Sequence, residues 1–184
     1  MAFQFSTRCR AACGQQRIDD MLYVTNGAWT ASTAYTVGET VTNGGNSYRV
    51  TTAGTSAASG GPTGTTTSIT DGTVTWTYAP PTLVLYSGAE SANCAASSPA
   101  GVLATIQLPM VPLTTTNGVT SLSGVWSGSG SAVGNAASFR IFDATGTFCV
   151  EQGNTTTDLV LVNTSIAVGQ PVSVSSYQIT EGGA

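Results

Sequence analysis

Alternating apolar and polar residues recur along most of the chain and predict short β-strands rather than helices. Gly-containing turns such as Ser87-Gly88 and Asn117-Gly118 separate these runs in the second half. In the last run the apolar positions change parity, which predicts a β-bulge at Ser175-Ser176. The spacing predicts an antiparallel β-sandwich. Its strands are expected at residues 83–86, 102–108, 119–126, 139–142, 148–151, 158–162 and 172–180.

The segment 138–151 predicts a β-hairpin with a recognisable turn. Asp143 suits the first turn position, and Gly146 suits the left-handed residue that closes a bulged loop. If Phe142 faces Thr147, the opposite side of the hairpin carries Arg140 and is mixed, and we expect that side to be available to a partner. The same register gathers four apolar side chains on a face that we expect to be buried, namely Phe139, Ile141, Phe148 and Val150.

One helix is predicted near the start of the chain. Ser6 is a suitable N-cap, and the apolar spacing extends to Leu22, although Gly14 weakens the helix and favours a break. Three of the five arginines fall in this segment, namely Arg8, Arg10 and Arg17. Two interpretations of this cluster stay open: it docks onto an acidic partner, or it is a solvated helix face.

Residues 26–79 differ in texture from the rest of the chain, with widely spaced aromatic residues in a Gly- and Thr-rich background. Asn43-Gly44-Gly45-Asn46 predicts a hairpin, and the alternation over 74–78 predicts another strand. The segment 53–67 has too few large apolar residues to bury itself and predicts a long surface loop. Pro80-Pro81 then marks a boundary, because proline cannot donate to a β-ladder.

Composition limits the chemistry available to this protein. The chain has no histidine and no lysine, which excludes a histidine-activated nucleophile, a lysine Schiff base and a P-loop. The acidic residues fall at predicted turns and strand ends, as Asp71 does, so no pair is expected across a cleft. We therefore expect no enzymatic activity, no cofactor and no metal. Cys9 and Cys13, four residues apart, are compatible with a metal pair or a disulfide, or with small buried apolar side chains.

Charge and hydropathy narrow the partners and the compartment. Charged residues are 8% of the chain and the net charge is −4, which argues against nucleic-acid binding. No apolar run approaches the roughly 18 residues of a membrane span. The N-terminus lacks the apolar core of a signal peptide, so we expect synthesis in a cytoplasm. The four cysteines are then expected to be made reduced, namely Cys9, Cys13, Cys94 and Cys149.

The aromatic segment resembles the small carbohydrate-binding modules of the chitin-binding type, above all their copies in bacteriophage structural proteins, where the stretch at 67–76 also occurs. The matching positions are Trp29, Tyr35, Gly38, Val41, Gly45, Tyr48 and Trp76. The resemblance implies polysaccharide binding by sugar rings stacked on exposed aromatics, with Trp29, Tyr35, Tyr48 and Trp76 as candidates. The alternative is that Tyr35, Tyr48 and Trp76 form the core of so small a module. Trp29, which follows small residues, is expected to keep its ring open to water.

The remainder of the chain resembles small tailed-phage virion proteins of the head decoration (cement) type. The likeness rests on 17–22, 83–88, 139–146 and 158–174, in that order. It implies that residues 1–25 and 80–184 form one discontinuous domain, a helix with a β-sandwich, into which an all-β module of residues 26–79 is inserted.

The same resemblance implies a function and a location. The protein is then expected to bind and stabilise the head shell, with the major capsid protein as partner and with Arg8, Arg10 and Arg17 as candidate capsid contacts. It would be a homo-oligomer, for example a trimer, on the virion surface, after synthesis in the host cytoplasm. A surface polysaccharide is a further expected partner, whereas nucleic acid and membrane are not. The alternative is a phage tail or fibre component that binds host-surface glycan.

Overall fold

The structure, a computed structural model, describes residues 5–180 and is mostly β. The described part has one helix, α1 (Thr7–Met21), and seventeen strands. The strands of the first half are β1 (Ala34–Tyr35), β2 (Thr40–Asn43), β3 (Asn46–Thr52), β4 (Gly54–Thr55), β5 (Ile69–Asp71), β6 (Val74–Tyr78), β7 (Thr82–Tyr86) and β8 (Val102–Gln107). Those of the second half are β9 (Leu113–Thr116), β10 (Val119–Leu122), β11 (Ser127–Ser129), β12 (Gly134–Asn135), β13 (Ser138–Phe142), β14 (Cys149–Asn154), β15 (Leu159–Leu161), β16 (Ser165–Ile166) and β17 (Pro171–Thr180).

Two antiparallel sheets form the sandwich and confirm the predicted fold class. One has the strand order β14-β13-β7-β8, and the other has the order β11-β17-β10-β9, with β15 also paired to β17. A bridge between Ala104 and Gly130 connects β8 to the segment after β11, so the sheets meet along one side. Between them lies the larger hydrophobic core, which includes the rings of Trp126, Phe139 and Tyr177.

Helix α1 packs against this core and begins where the sequence predicts. The Ser6 hydroxyl accepts a hydrogen bond from the Cys9 backbone N–H at 3.2 Å, which caps the first turn. The break expected at Gly14 is wrong, because the helix is continuous through that buried residue. A Cβ at Gly14 would lie 2.4 Å from the hydroxyl oxygen of Thr115. Glycine is therefore required there for close approach of the helix to β9 and β10.

The aromatic module, residues 26–79, has a hydrophobic cluster of its own. Its four-stranded sheet has the order β2-β3-β6-β5. The predicted hairpin is confirmed: Asn43 pairs with Asn46, and Gly44 and Gly45 have φ of +56° and +82°. The cluster contains Tyr35, Val41, Tyr48, Val50, Val74 and Trp76. The loop predicted at 53–67 contains only the short strand β4. That residues 26–79 form a separable module stays a prediction.

The predicted register of the hairpin at 138–151 is wrong. The Asp143 N–H donates to the carbonyl of Phe148 at 3.1 Å, so the loop is longer than expected, and Phe142 faces Cys149 instead of Thr147. A bulge then places Glu151 opposite Ile141. The bulge reverses the parity of the rest of β14 and puts Glu151 in the buried row, whereas Phe148, which lies before β14, is 60% exposed. Phe139 and Ile141 are buried as predicted, and Val150 is half-buried.

The other strands predicted in the second half are present, although one is shorter than expected and further short strands occur. The bulge in the last strand is present, because Val160 faces Ser176 while Leu161 faces Val174, which leaves Ser175 as the extra residue. The strand expected at 119–126 is shorter than predicted, because β10 ends at Leu122 and residues 123–126 are not in a strand. Four strands of the second half were not predicted, namely β9, β11, β12 and β16.

Two of the four cysteines that we expect to be made reduced are paired in the structure. Cys94 and Cys149 form a disulfide that attaches the β7–β8 loop to β14. The sequence offered no way to pair them, since 55 residues separate the two. On α1, Cys9 is half-buried and Cys13 is exposed, so the burial expected of small apolar side chains is not observed for Cys13.

Candidate functional site

Three of the four aromatic residues proposed for sugar stacking are core residues. Tyr35, Tyr48 and Trp76 are 4%, 1% and 0% exposed. The rings of Tyr35 and Trp76 meet edge to face, with centroids 4.9 Å apart. Stacking needs a ring face open to solvent, which these buried rings lack, and their burial agrees with the interpretation of them as core residues.

Trp29 is half-buried. Its ring is therefore only partly open to water, whereas the sequence predicted a fully open ring. Its indole N–H donates to Oδ2 of Asp71 at 2.8 Å. Gly61 lies against the ring, since a Cβ on that glycine would come within 2.9 Å of Cδ2. The surface loop at 53–67 therefore packs against the ring through Gly61.

Asp71 is the polar centre of the aromatic module, a role that sequence reasoning missed. The side chain is buried, and Oδ2 accepts hydrogen bonds from the indoles of Trp29 and Trp76, the latter at 3.2 Å. Oδ1 accepts from the backbone N–H of Ala57 at 3.0 Å. The only sequence signal was the Asp-Gly turn between two tryptophans, which we interpreted as ordinary turn chemistry.

The three arginines of α1 do not form one basic face. Arg17 forms an ion pair with the buried Glu151, whose other oxygen accepts from the Tyr177 hydroxyl. Arg10 is half-buried and packs over Gly118. Arg8 is exposed. Of the three proposed capsid contacts, Arg8 is therefore the one whose side chain stands clear of the fold.

Arg140 faces inward, and the expectation that its side of the hairpin meets a partner is wrong. The side chain is 3% exposed. Its two terminal nitrogens donate to the β7–β8 loop, at the carbonyls of Asn93, Ala96 and Ser97 and the hydroxyl of Ser98, over 3.0–3.3 Å. Together with the Cys94–Cys149 disulfide, this guanidinium holds the loop against β13 and β14.

The sheet that contains β17 has an outer surface without charge. Its strands β9, β10, β11, β15 and β17 contain no Asp, Glu, Lys or Arg. Three exposed valines, Val125, Val160 and Val162, lie in or beside these strands and are 76%, 42% and 73% exposed. Ser175 and Ser176 of β17 are also exposed. We call this surface, the exposed residues of these five strands with Val125 and Val162, the uncharged face.

A cleft of about 570 Å³ separates the end of α1, the aromatic module and the β13–β14 loop. We call it the interlobe cleft; its lining includes Asp20, Tyr23, Arg49, Asp143 and Phe148. Tyr23 and Phe148 are 55% and 60% exposed. Sequence reasoning did not find this cleft, because its walls come from three segments distant in the chain.

Two titratable groups of the aromatic module have shifted pKa values. The Thr36 backbone N–H and, less strongly, the Asn26 side chain donate to the Glu39 carboxylate and hold the pKa of Glu39 below its ordinary value. Burial, with a smaller contribution from Tyr48, raises the pKa of Tyr78. Both shifts have local structural causes and indicate no catalytic pair.

Within residues 5–180, no group of three or more His, Cys, Asp or Glu side chains is placed to hold a metal ion. In the same range, no helix has the length and apolar character needed to cross a bilayer.

Comparison of the chain with protein-family models, with curated proteins and with solved structures gave no match.

Proposed function

We propose that this protein is a structural component of a tailed-phage virion that decorates and stabilises the head shell. The β-sandwich would bind the major capsid protein, and the aromatic module would project outward. The observation that carries the proposal is the uncharged face, together with the likeness of the sequence to head decoration proteins. In this account the protein catalyses nothing.

The lack of charged groups and the exposed valines of the uncharged face suit repeated docking on a capsid lattice. A surface of Val, Ser and Thr without charged groups is docked without the desolvation cost of burying ions. Burial of apolar area contributes roughly 25 cal/mol per Å², so a few valines give a modest contact. Many copies on one shell, or an oligomer such as a trimer that docks through several subunits, multiply that modest contact into firm attachment.

The alternative, a tail or fibre component that binds glycan, is less well supported. Its strongest argument was a set of exposed stacking aromatics in the module. Tyr35, Tyr48 and Trp76 are buried, and Trp29 is partly covered and bonded to Asp71. The aromatic pattern is therefore explained by packing, and a spacer role for the module needs no sugar.

The proposal is tested with heads that lack the protein and with purified variants added back. Val160→Glu places a charge on the uncharged face, and Val37→Glu is the matched control, because Val37 is 66% exposed and lies on the aromatic module. We expect Val160→Glu to weaken head binding at least about tenfold, which corresponds to about 1.4 kcal/mol, and Val37→Glu to bind normally. Both variants should keep the parent's thermal midpoint. Equal binding by the two variants would contradict the proposed docking face.

A further inference from the structure

The interlobe cleft contains a buried carboxylate with an unused oxygen. Asp143 lines the cleft and is 1% exposed. Its Oδ1 accepts from the Thr145 hydroxyl at 2.6 Å and from the Phe148 N–H at 3.3 Å. Its Oδ2 is buried and has no hydrogen-bond partner among the described residues. Because buried carboxylate oxygens are normally paired, an external donor is the natural complement of this atom.

Arg49, the arginine of the cleft, does not pair with the Asp143 carboxylate. Arg49 lines the cleft and is half-buried, and its Nη1 donates to the Thr145 carbonyl at 3.0 Å. Among the described residues it forms no ion pair within 4.0 Å with Asp143 or with Asp20, the second carboxylate of the cleft. One guanidinium against two carboxylates leaves the cleft with one net negative charge. The unpaired oxygen of Asp143 and the net charge both favour a positively charged guest.

The remaining walls suit the body of such a guest. Tyr23 and Phe148 present exposed rings to the same cleft, and aromatic faces attract cations as well as apolar surface. At about 570 Å³ the cleft is larger than one side chain needs and falls within the range of small-molecule sites. An anion is disfavoured by the two carboxylates, and a neutral guest leaves the charge uncompensated.

We propose that the interlobe cleft binds an organic cation, a guanidinium or ammonium group carried on an apolar body. The cationic group pairs with the Asp143 carboxylate, and the apolar part lies between Tyr23 and Phe148. The source is either an arginine or lysine side chain of a partner protein or a free small cation. This inference does not depend on the virion role proposed above.

Titration of the full chain, labelled with ¹⁵N, tests the proposal by NMR. The probe is butylguanidinium, and the comparison is butylurea, which has nearly the same shape and no charge. We expect butylguanidinium to shift the amide signals of 143–148 saturably and to bind at least about tenfold more tightly than butylurea. Equal binding of the two compounds, tighter binding of a neutral methyl glycoside, or no saturable shift with any of them would overturn the proposal.

Variants connect the binding to the residues. Asp143→Asn keeps an oxygen for Thr145 and Phe148 and should weaken butylguanidinium binding at least about tenfold. Asp20→Asn should weaken it a few-fold. Asp19→Asn is the matched control: Asp19 and Asp20 each accept from the glutamine four residues earlier, at 2.9 and 2.8 Å, but Asp19 does not line the cleft. Equal binding by the Asp20 and Asp19 variants would count against the site.

Two further arms complete the design. If Asp143→Asn does not fold, the exposed ring of Phe148 is removed by Phe148→Ala, which must also weaken binding for the proposal to stand. A blocked Ala-Arg-Ala tripeptide distinguishes the sources. Tighter binding than butylguanidinium indicates a protein side chain, and weaker binding indicates a free cation; either result supports the site. A variant that loses head binding but still binds the cation, or one that loses cation binding but still binds heads, shows that this inference and the proposed function stand or fail independently.

Discussion

Replacing Asp71 by Asn tests the polar centre of the aromatic module with almost no change in shape. The carboxylate accepts three hydrogen bonds, two from indoles at Oδ2 and one from Ala57 at Oδ1. An amide has one oxygen and one NH₂ group. Whichever way it is oriented, the NH₂ group faces at least one N–H donor, so no rotamer of Asn keeps all three bonds.

The magnitude follows from the better of the two orientations. With the amide oxygen toward Trp29 and Trp76, the bond from Ala57 is lost and two donors face each other in a partly buried site. A hydrogen bond to a charged group contributes about 1.5–3 kcal/mol, and an unsatisfied buried group costs about 1–3 kcal/mol. Allowing for local relaxation, we expect Asp71→Asn to lower the free energy of unfolding of the module by about 3 kcal/mol.

Hydrogen exchange read by mass spectrometry localises the effect, and denaturant unfolding followed by tryptophan fluorescence gives its size. Protection should fall in β2, β3 and β6 and stay at the parent's level in β7 and β13. The exposed Asp19→Asn makes the same chemical change and should alter stability by less than about 0.5 kcal/mol. If Asp71→Asn is as stable as Asp19→Asn, the account of the module's core is wrong.

Three further predictions follow from single contacts. Gly14→Ala, which in an exposed helix stabilises by about 1 kcal/mol, should here lower the thermal midpoint, because its Cβ meets the Thr115 side chain at 2.4 Å; an unchanged or raised midpoint would contradict that packing. Glu39→Gln should destabilise the chain at pH 7, and the difference in stability from the parent should shrink as the pH falls below 4.5. The reason is that a carboxyl whose pKa is lowered in the folded state loses its stabilising contribution when it is protonated. A difference in stability that does not depend on pH would contradict this role of Glu39. Reduction of the Cys94–Cys149 disulfide should lower the free energy of unfolding of the parent by up to about 4 kcal/mol, according to the chain-entropy description. The stability of a variant with serine at both positions should not change when reductant is added.

Local patterns predicted the strands and turns of this protein well. The hairpin at Asn43–Asn46 and the bulge at Ser175 depend on residues close in sequence. Glycine at positive φ and the parity of apolar positions were therefore sufficient to find them. The continuous helix across Gly14 was missed for the opposite reason, since the surface that favours glycine there belongs to β9 and β10.

The candidate sites depend on contacts that no local pattern contains. Glu151 takes an inward position because a bulge shifts β14 and because Arg17, far away in sequence, pairs with it. Arg140 and Asp71 are polar residues whose burial is explained only by distant partners. Such exceptions to polar-outside patterning are where sequence reasoning about this fold fails, and the buried Asp143 of the interlobe cleft is another of them.

The most direct test of the proposed function is an electron-microscopy reconstruction of the particle that carries this protein. The account predicts density for the β-sandwich at regular positions over the head shell, with Val160 and Val162 of the uncharged face against the major capsid protein. The aromatic module should point away from the shell. Density confined to the tail or fibres, or a shell contact made by residues 26–79 instead of the uncharged face, would contradict it.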